Sequence, residues 1–241
     1  MLFNKILAAT SVLSATTLAY KYERLDRNDS MVLILDQQVG LFSLVRDLEP
    51  LYFKQNIFAH AALAKAFDLP VVMSTSAETG PNGPLPAEIL ELFPNSPIVK
   101  RPGEVNAWDN ADVRAAIAAT NKTQVIIGGI LTDVCTAFAA LSLREAGYTV
   151  FANIEASGTS SEMVRDAAND RMKDAGVHLL SLGAIWGELM RDWRTPPTGI
   201  QVFTFLDDYV PAIGMLARSH RAAIENGTIV PGEDALPSSP R

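Results

Sequence analysis

The chain has 241 residues, 20 Lys plus Arg against 27 Asp plus Glu, a formal charge of −7 and a hydrophobic fraction of 48%. That length suits one domain of about 200 residues with tails, whose core buries roughly 70% of the unfolded chain's surface. The acidic balance argues against nucleic acid, because phosphate neutralisation needs clustered cations, and the single cysteine, Cys135, excludes an intrachain disulfide or a multi-cysteine zinc site.

The first nineteen residues carry one cation, Lys5, followed by an apolar and hydroxylic run from Ile6 to Ala19. A bilayer core needs about 20 strongly apolar residues, so this run predicts no stable membrane span. With small residues near its end, 1–19 reads as a signal or targeting segment cleaved near Ala19, or as a plain extension. Localisation therefore stays open between secreted or extracytoplasmic and cytoplasmic or organellar. The sequons at Asn28, Asn121 and Asn226 matter only on a eukaryotic secretory route.

From Met31 onward, short apolar runs alternate with helical patterns, as in a parallel sheet covered by helices on both faces. Strands are predicted at Met31–Leu35, which stops at Asp36, and at Leu69–Ser74, Gln124–Gly128, Tyr148–Ala152 and Val177–Leu180, with Ile98 and Val99 as a sixth. Crossover helices are predicted over Leu51–Phe67, Ala111–Ala119, Val134–Ala146, Glu162–Ala175 and Leu182–Trp193. Right-handed connections then give an open, doubly wound sheet, whose ligands bind beyond the carboxyl ends of the strands. Ser74–Glu88, dense in Gly, Pro, Thr and Asn, reads as a long loop over that site. The main domain spans 24–210, and 211–241 forms an extension that is partly disordered, ending in the Pro/Ser-rich Pro231–Arg241.

Three elements converge on the predicted crevice. Gln124–Gly128 runs into Gly129-Ile130-Leu131-Thr132-Asp133-Val134-Cys135, after which helix composition begins. Cys135 thus falls in a first helical turn, with Thr132 or Asp133 as N-cap, where free amides and the dipole favour a thiolate. It reads either as a nucleophile or as buried filler. Asp36 reads either as a turn-capping acid or as the general base for that thiol. Lys100-Arg101 supplies a cation that would stabilise both anions, or a solvated loop pair.

Together, Asp36-Gln37-Gln38-Val39-Gly40-Leu41, Arg101-Pro102-Gly103 with Asn106-Ala107-Trp108, and the Gly129–Cys135 run resemble the isochorismatase-like cysteine hydrolases. The YcaC-like branch is the nearest in pattern, through Glu78-Thr79-Gly80-Pro81-Asn82-Gly83-Pro84 and Asp192-Trp193-Arg194. The resemblance covers about residues 24 to 195. It implies a three-layer, Rossmann-like α/β fold with five or six parallel strands, and a triad of Asp36, a basic residue and Cys135. Arg101 takes the basic position, with Lys100 as the alternative cation. It also implies a non-proline cis peptide at Ile130–Leu131, and an oxyanion hole from the backbone amides of Thr132 and Cys135. Gln38, Phe42, Trp108 and Leu131 are the expected substrate contacts. Members with the cysteine cleave C–N bonds of small amides, ureides or carbamoyl compounds, and the resemblance further implies a homo-oligomer.

No metal and no organic cofactor is expected. His60, His178 and His220 are scattered, and Gly128-Gly129 lacks the spaced third glycine of a dinucleotide fingerprint. Other classes compatible with the residues are a non-catalytic binding protein and a redox-sensing thiol. Trp186, Met190 and Trp193 fit the core or a subunit interface, with the core favoured.

Overall fold

Strands buried on both sides need a layer of helices against each face, and the computed structural model has this arrangement. It describes residues 22–194 and 200–229; the readings for 1–19 and 231–241 lie outside the described residues. Six strands, β1 (Ser30–Leu35), β2 (Val71–Ser76), β3 (Ile98–Arg101), β4 (Gln124–Gly129), β5 (Thr149–Asn153) and β6 (His178–Leu180), form one sheet in the order β3-β2-β1-β4-β5-β6. Every pairing is parallel. The winding reverses at β1, which lies between β2 and β4, so a crevice opens at the carboxyl end of β1 where Asp36 leaves the sheet.

All six residues of β1 are buried, and they alternate between two cores. Val32 and Ile34 pack with α1 (Pro50–Phe67), α6 (Leu182–Met190) and α7 (Ile200–Tyr209). Met31, Leu33 and Leu35 pack with α3 (Ala111–Ala119), α4 (Ala137–Glu145) and α5 (Glu162–Asp174). Each such Leu or Ile contributes about 1.5–3 kcal/mol by burial. Side-chain oxygens begin several helices: Glu49 accepts from Tyr52 N, Asn110 from Asp112 N and Val113 N, Ser161 from Val164 N, and Ser181 from Ala184 N.

Several boundaries differ from the sequence expectation. Ile98 and Val99 belong to a full strand that runs on to Arg101. The Ser74–Glu88 loop is shorter, because β2 continues to Ser76 and a helix, α2 (Ala87–Leu92), begins at Ala87. Good helix formers there stand directly behind the prolines that suggested a loop. α6 stops at Met190, since Arg191 takes a left-handed φ of 60°. Met190 is core as expected, while Trp193 is 41% exposed and its ring meets Trp186 and Phe203 at 5.8 Å each. The extension is helical through α8 (Pro211–Glu225), which packs on α7. No helix among the described residues is long and apolar enough to cross a membrane.

Candidate active site

Asp36 follows β1 with a φ of 53°, and its amide donates to Ser74 O at 2.9 Å. This turn aims a fully buried carboxyl group across the end of β2 toward β3. Parallel register sets Ser76 beside Arg101 and Ser74 beside Val99. The Arg101 side chain, the largest fully buried one among the described residues, therefore lies over Ser74. Its Nε donates to Ser74 Oγ at 3.0 Å, its Nη1 to Glu104 O and its Nη2 to Asp36 Oδ2. Ser74 Oγ in turn donates to Val99 O at 3.1 Å. Neighbouring strand residues face opposite ways, so Lys100 points outward, pairing with Glu78 Oε1 at 2.9 Å with its side chain 64% exposed. The structure thus brings Arg101 to Asp36 and leaves Lys100 apart.

Cys135 does not sit in the first turn of a regular α-helix. It belongs to a turn of π-helix, Thr132–Thr136, inserted between β4 and α4. Neither Thr132 nor Asp133 caps it; Leu131 occupies the cap position, and its carbonyl accepts from Val134 N at 3.3 Å and Thr136 N at 3.1 Å. The peptide between Ile130 and Leu131 is cis. Gly129 makes the approach to β1 possible, because a Cβ there would meet Leu35 O at 2.5 Å. Cys135, partly buried, lies against the same apolar cluster as Leu35 and Trp108.

Cys135 stands close enough to the Asp36 carboxylate and to the Leu131 amide for both to act on its thiol. Asp36 Oδ1 is buried without a hydrogen-bond partner, on the carboxyl group whose Oδ2 meets Arg101. Burial first, and then the negative charge of Asp36 and that hydrogen bond, push the thiol up to about 12; the Leu131 amide and Arg101 act in the opposite sense. Desolvation and the neighbouring carboxylate thus work against the thiolate that a helix terminus would favour. Burial also raises Asp36 above the usual carboxylate range, against the pull of Arg101 and Cys135.

Two further expectations need correction. The Thr132 amide donates to Gly158 O at 3.0 Å, so it is consumed inside the fold, whereas Leu131 N–H faces the sulfur. Gln38 is fully buried with its amide committed to the backbone: Oε1 accepts from Ser76 N at 2.8 Å, and Nε2 donates to Ser76 O at 3.1 Å and to Gly83 O. It ties down the loop after β2 instead of facing a ligand. Phe42 and Leu131 are half-buried against one cluster, Val45, Phe53, Ile57, Ile130 and Ala156. Phe42 also lines a cleft of about 380 Å³ with Val39, Phe58 and Leu90. Trp108 is half-buried, its ring edge-on to Tyr148 at 5.8 Å.

Sequence reasoning missed Ser74, the Glu104 carbonyl, the Leu131 amide and the strap after β5, residues 154–161 between β5 and α5. Only the position of Ser74 at a strand's carboxyl end signalled its place. Among the described residues no group of three or more His, Cys, Asp or Glu side chains is placed to hold a metal. His60 is a core residue, with Nε2 on Leu33 O at 3.2 Å and Nδ1 on Asn153 Nδ2 at 3.3 Å.

Residues 30–183 match the family model described as the isochorismatase domain. The chain belongs to the isochorismatase family. Within it, the chain falls in the YcaC branch. It is 48% identical over 199 residues to "Probable hydrolase YcaC" of Escherichia coli strain K12, covering 83% of this chain and 95% of that one. The crystal structure of the Escherichia coli YcaC gene product, described as an octameric hydrolase of unknown specificity, matches with a TM-score of 0.81 at 47% identity, covering 85% of this chain and 99% of that one. YcaC from Pseudomonas aeruginosa, solved with hexane-2,5-diol and covalent acrylamide, matches with a TM-score of 0.80 at 47% identity over 83% of this chain and 98% of that one.

Proposed function

We propose that this chain hydrolyses a C–N bond of a small amide, ureide or carbamoyl compound through a thioester on Cys135. The observation that carries the reading is the fully buried Asp36–Arg101 pair, with Cys135 near enough that the carboxyl group and the thiol act on one another. Burial and the neighbouring carboxylate both favour the protonated sulfur, so attack is coupled to proton transfer to Asp36. Sulfur attacks the carbonyl carbon as its proton passes to Asp36. The amides of Leu131 and Cys135 hold the oxyanion, and one such donor is commonly worth ~10²–10³ in rate. The tetrahedral intermediate collapses as Asp36 returns the proton to the leaving nitrogen, and the C–N bond breaks. Water then attacks the thioester, losing its proton to Asp36, which protonates the departing sulfur. Arg101 acts only through its charge and geometry, because a guanidinium does not exchange protons in this range.

The Pseudomonas aeruginosa relative, with its covalent acrylamide, supports this reading, since a thiol is the side chain that adds readily to such an electrophile. The test is ammonia release from a panel of small amides and ureides. Wild type is expected to turn over at least one, and Cys135→Ala and Asp36→Asn to lose it; activity surviving in Cys135→Ala contradicts the proposal. We also infer a homo-oligomer from the octameric Escherichia coli relative, and a solution mass equal to a monomer contradicts that.

A further inference from the structure

Thr159 lies on the strap after β5, is fully buried, and has its amide, carbonyl and hydroxyl all engaged. Its amide donates to Asp47 Oδ1 at 2.7 Å, and its carbonyl accepts from the amides of Arg46 at 2.7 Å and Asp47 at 3.3 Å. Its hydroxyl donates to Asp133 Oδ1 at 2.5 Å. Asp47 stands on the segment that leads from Asp36 into α1, and Asp133 stands in the π turn, two residues before Cys135. The preceding residue, Gly158, accepts from Thr132 N and bridges Ile130. One residue thus joins the segment leading from the carboxylate to the turn that carries the sulfur.

The turn needs such a tie. It has no side-chain cap of its own, and Thr132 Oγ1 and Thr136 Oγ1 are buried without partners. Among the described residues, the Thr159–Asp133 bond is the side-chain hydrogen bond that fastens this turn to another element. A β-branched side chain has few χ1 states, so the hydroxyl is held in direction, and its acceptor is a carboxylate, the stronger kind of partner.

We propose that Thr159 is a positioning residue that, acting through Asp133, sets the Cys135 sulfur against the Asp36 carboxylate. The inference rests on the dyad reading above. Thr159→Val keeps the shape and the three backbone bonds but deletes the hydroxyl, and Thr159→Ser restores it. Asp133→Ala, at a half-exposed position, cuts the same bond from the other side.

Two readouts test it. In amide hydrolysis, Thr159→Val and Asp133→Ala are expected to lower kcat at least about tenfold with KM within about twofold, and Thr159→Ser to recover most of it. In iodoacetamide labelling at pH 8, both variants are expected to label Cys135 about tenfold faster, because the sulfur moves away from the carboxylate that holds its proton. A purely structural role lowers the thermal midpoint and moves neither readout. Unchanged kcat and labelling in Asp133→Ala, or a Thr159→Ser variant as impaired as Thr159→Val, overturns the proposal. If wild type hydrolyses no amide, the hydrolase reading fails while the labelling arm still decides the positioning role.

Discussion

The Arg101 guanidinium meets the Asp36 carboxylate with neither side chain exposed to solvent, and Arg101 reaches it only by passing over Ser74. Burying two charges costs several kcal/mol per ion, so the pair is held in place by the bonds around it: Ser74 Oγ, Glu104 O and the ends of two strands. Arg101→Met leaves the carboxylate uncompensated and is expected to destabilise the fold by about 3–5 kcal/mol in urea unfolding. Arg101→Lys keeps the charge but cannot span three acceptors in a planar fork. It is expected to fold and to lose about 10²-fold in kcat/KM. Wild-type kcat/KM in Arg101→Lys would show that charge alone suffices.

The state of the sulfur gives a second prediction. A thiol pushed up to about 12 stays protonated through neutral pH. Iodoacetamide labelling of Cys135 in the free enzyme is therefore expected to rise about tenfold per pH unit from 7 to 10 without levelling. A plateau reached below pH 8 would mean that the resting enzyme already carries a thiolate.

Gly129 supports close packing of the nucleophile turn on β1. An added Cβ would meet Leu35 O at 2.5 Å and Thr136 Oγ1 at 2.9 Å. The first is backbone of a central strand and cannot move aside. Gly129→Ala is expected to cost about 1–3 kcal/mol in stability and to reduce activity more than 10²-fold by shifting the turn away from Asp36. Chemical denaturation and amide turnover of the variant check both figures.

His60 supplies the acid side of the stability profile. Burial holds it down to about 4, compared with 6.5 in the open chain. Above pH 6.5 neither the folded nor the unfolded chain binds this proton. Below it the unfolded chain takes the proton up and the folded chain does not, until about pH 4. Its contribution is thus complete above 6.5 and is lost between 6.5 and 4, about 3 kcal/mol in all. Urea unfolding at pH 7.5 and 4.5 is expected to show a difference that shrinks by about 2 kcal/mol in His60→Leu. An equal acid loss in wild type and variant would place its source elsewhere.

The architecture was legible because unbroken apolar runs such as Met31–Leu35 have one stable use, a strand covered on both faces. The order of those runs also pointed Asp36 and Cys135 at one sheet edge. What remained hidden depended on distances between segments far apart in sequence. Arg101 and Lys100 are chemically alike as neighbours, and only the alternation of β3 decides which one faces Asp36. The Cys135 turn leads into the strong helix formers of Ala137–Glu145, yet it is a π turn tied by Thr132 N to Gly158 O, a long-range bond that no local pattern announces. The upward push on the thiol comes from burial beside a carboxylate, a property of packing. α2 and α8 were obscured by prolines that stand just before or at the first helical residue.

The most direct measurement is acid-quenched peptide mass mapping during turnover of an amide that releases ammonia. A mass increase equal to the acyl group, confined to the peptide bearing Cys135 and absent when Cys135 is alanine, is the predicted result. Sustained ammonia release with no such increase on that peptide, or with the alanine variant as active as wild type, would contradict covalent catalysis at this sulfur.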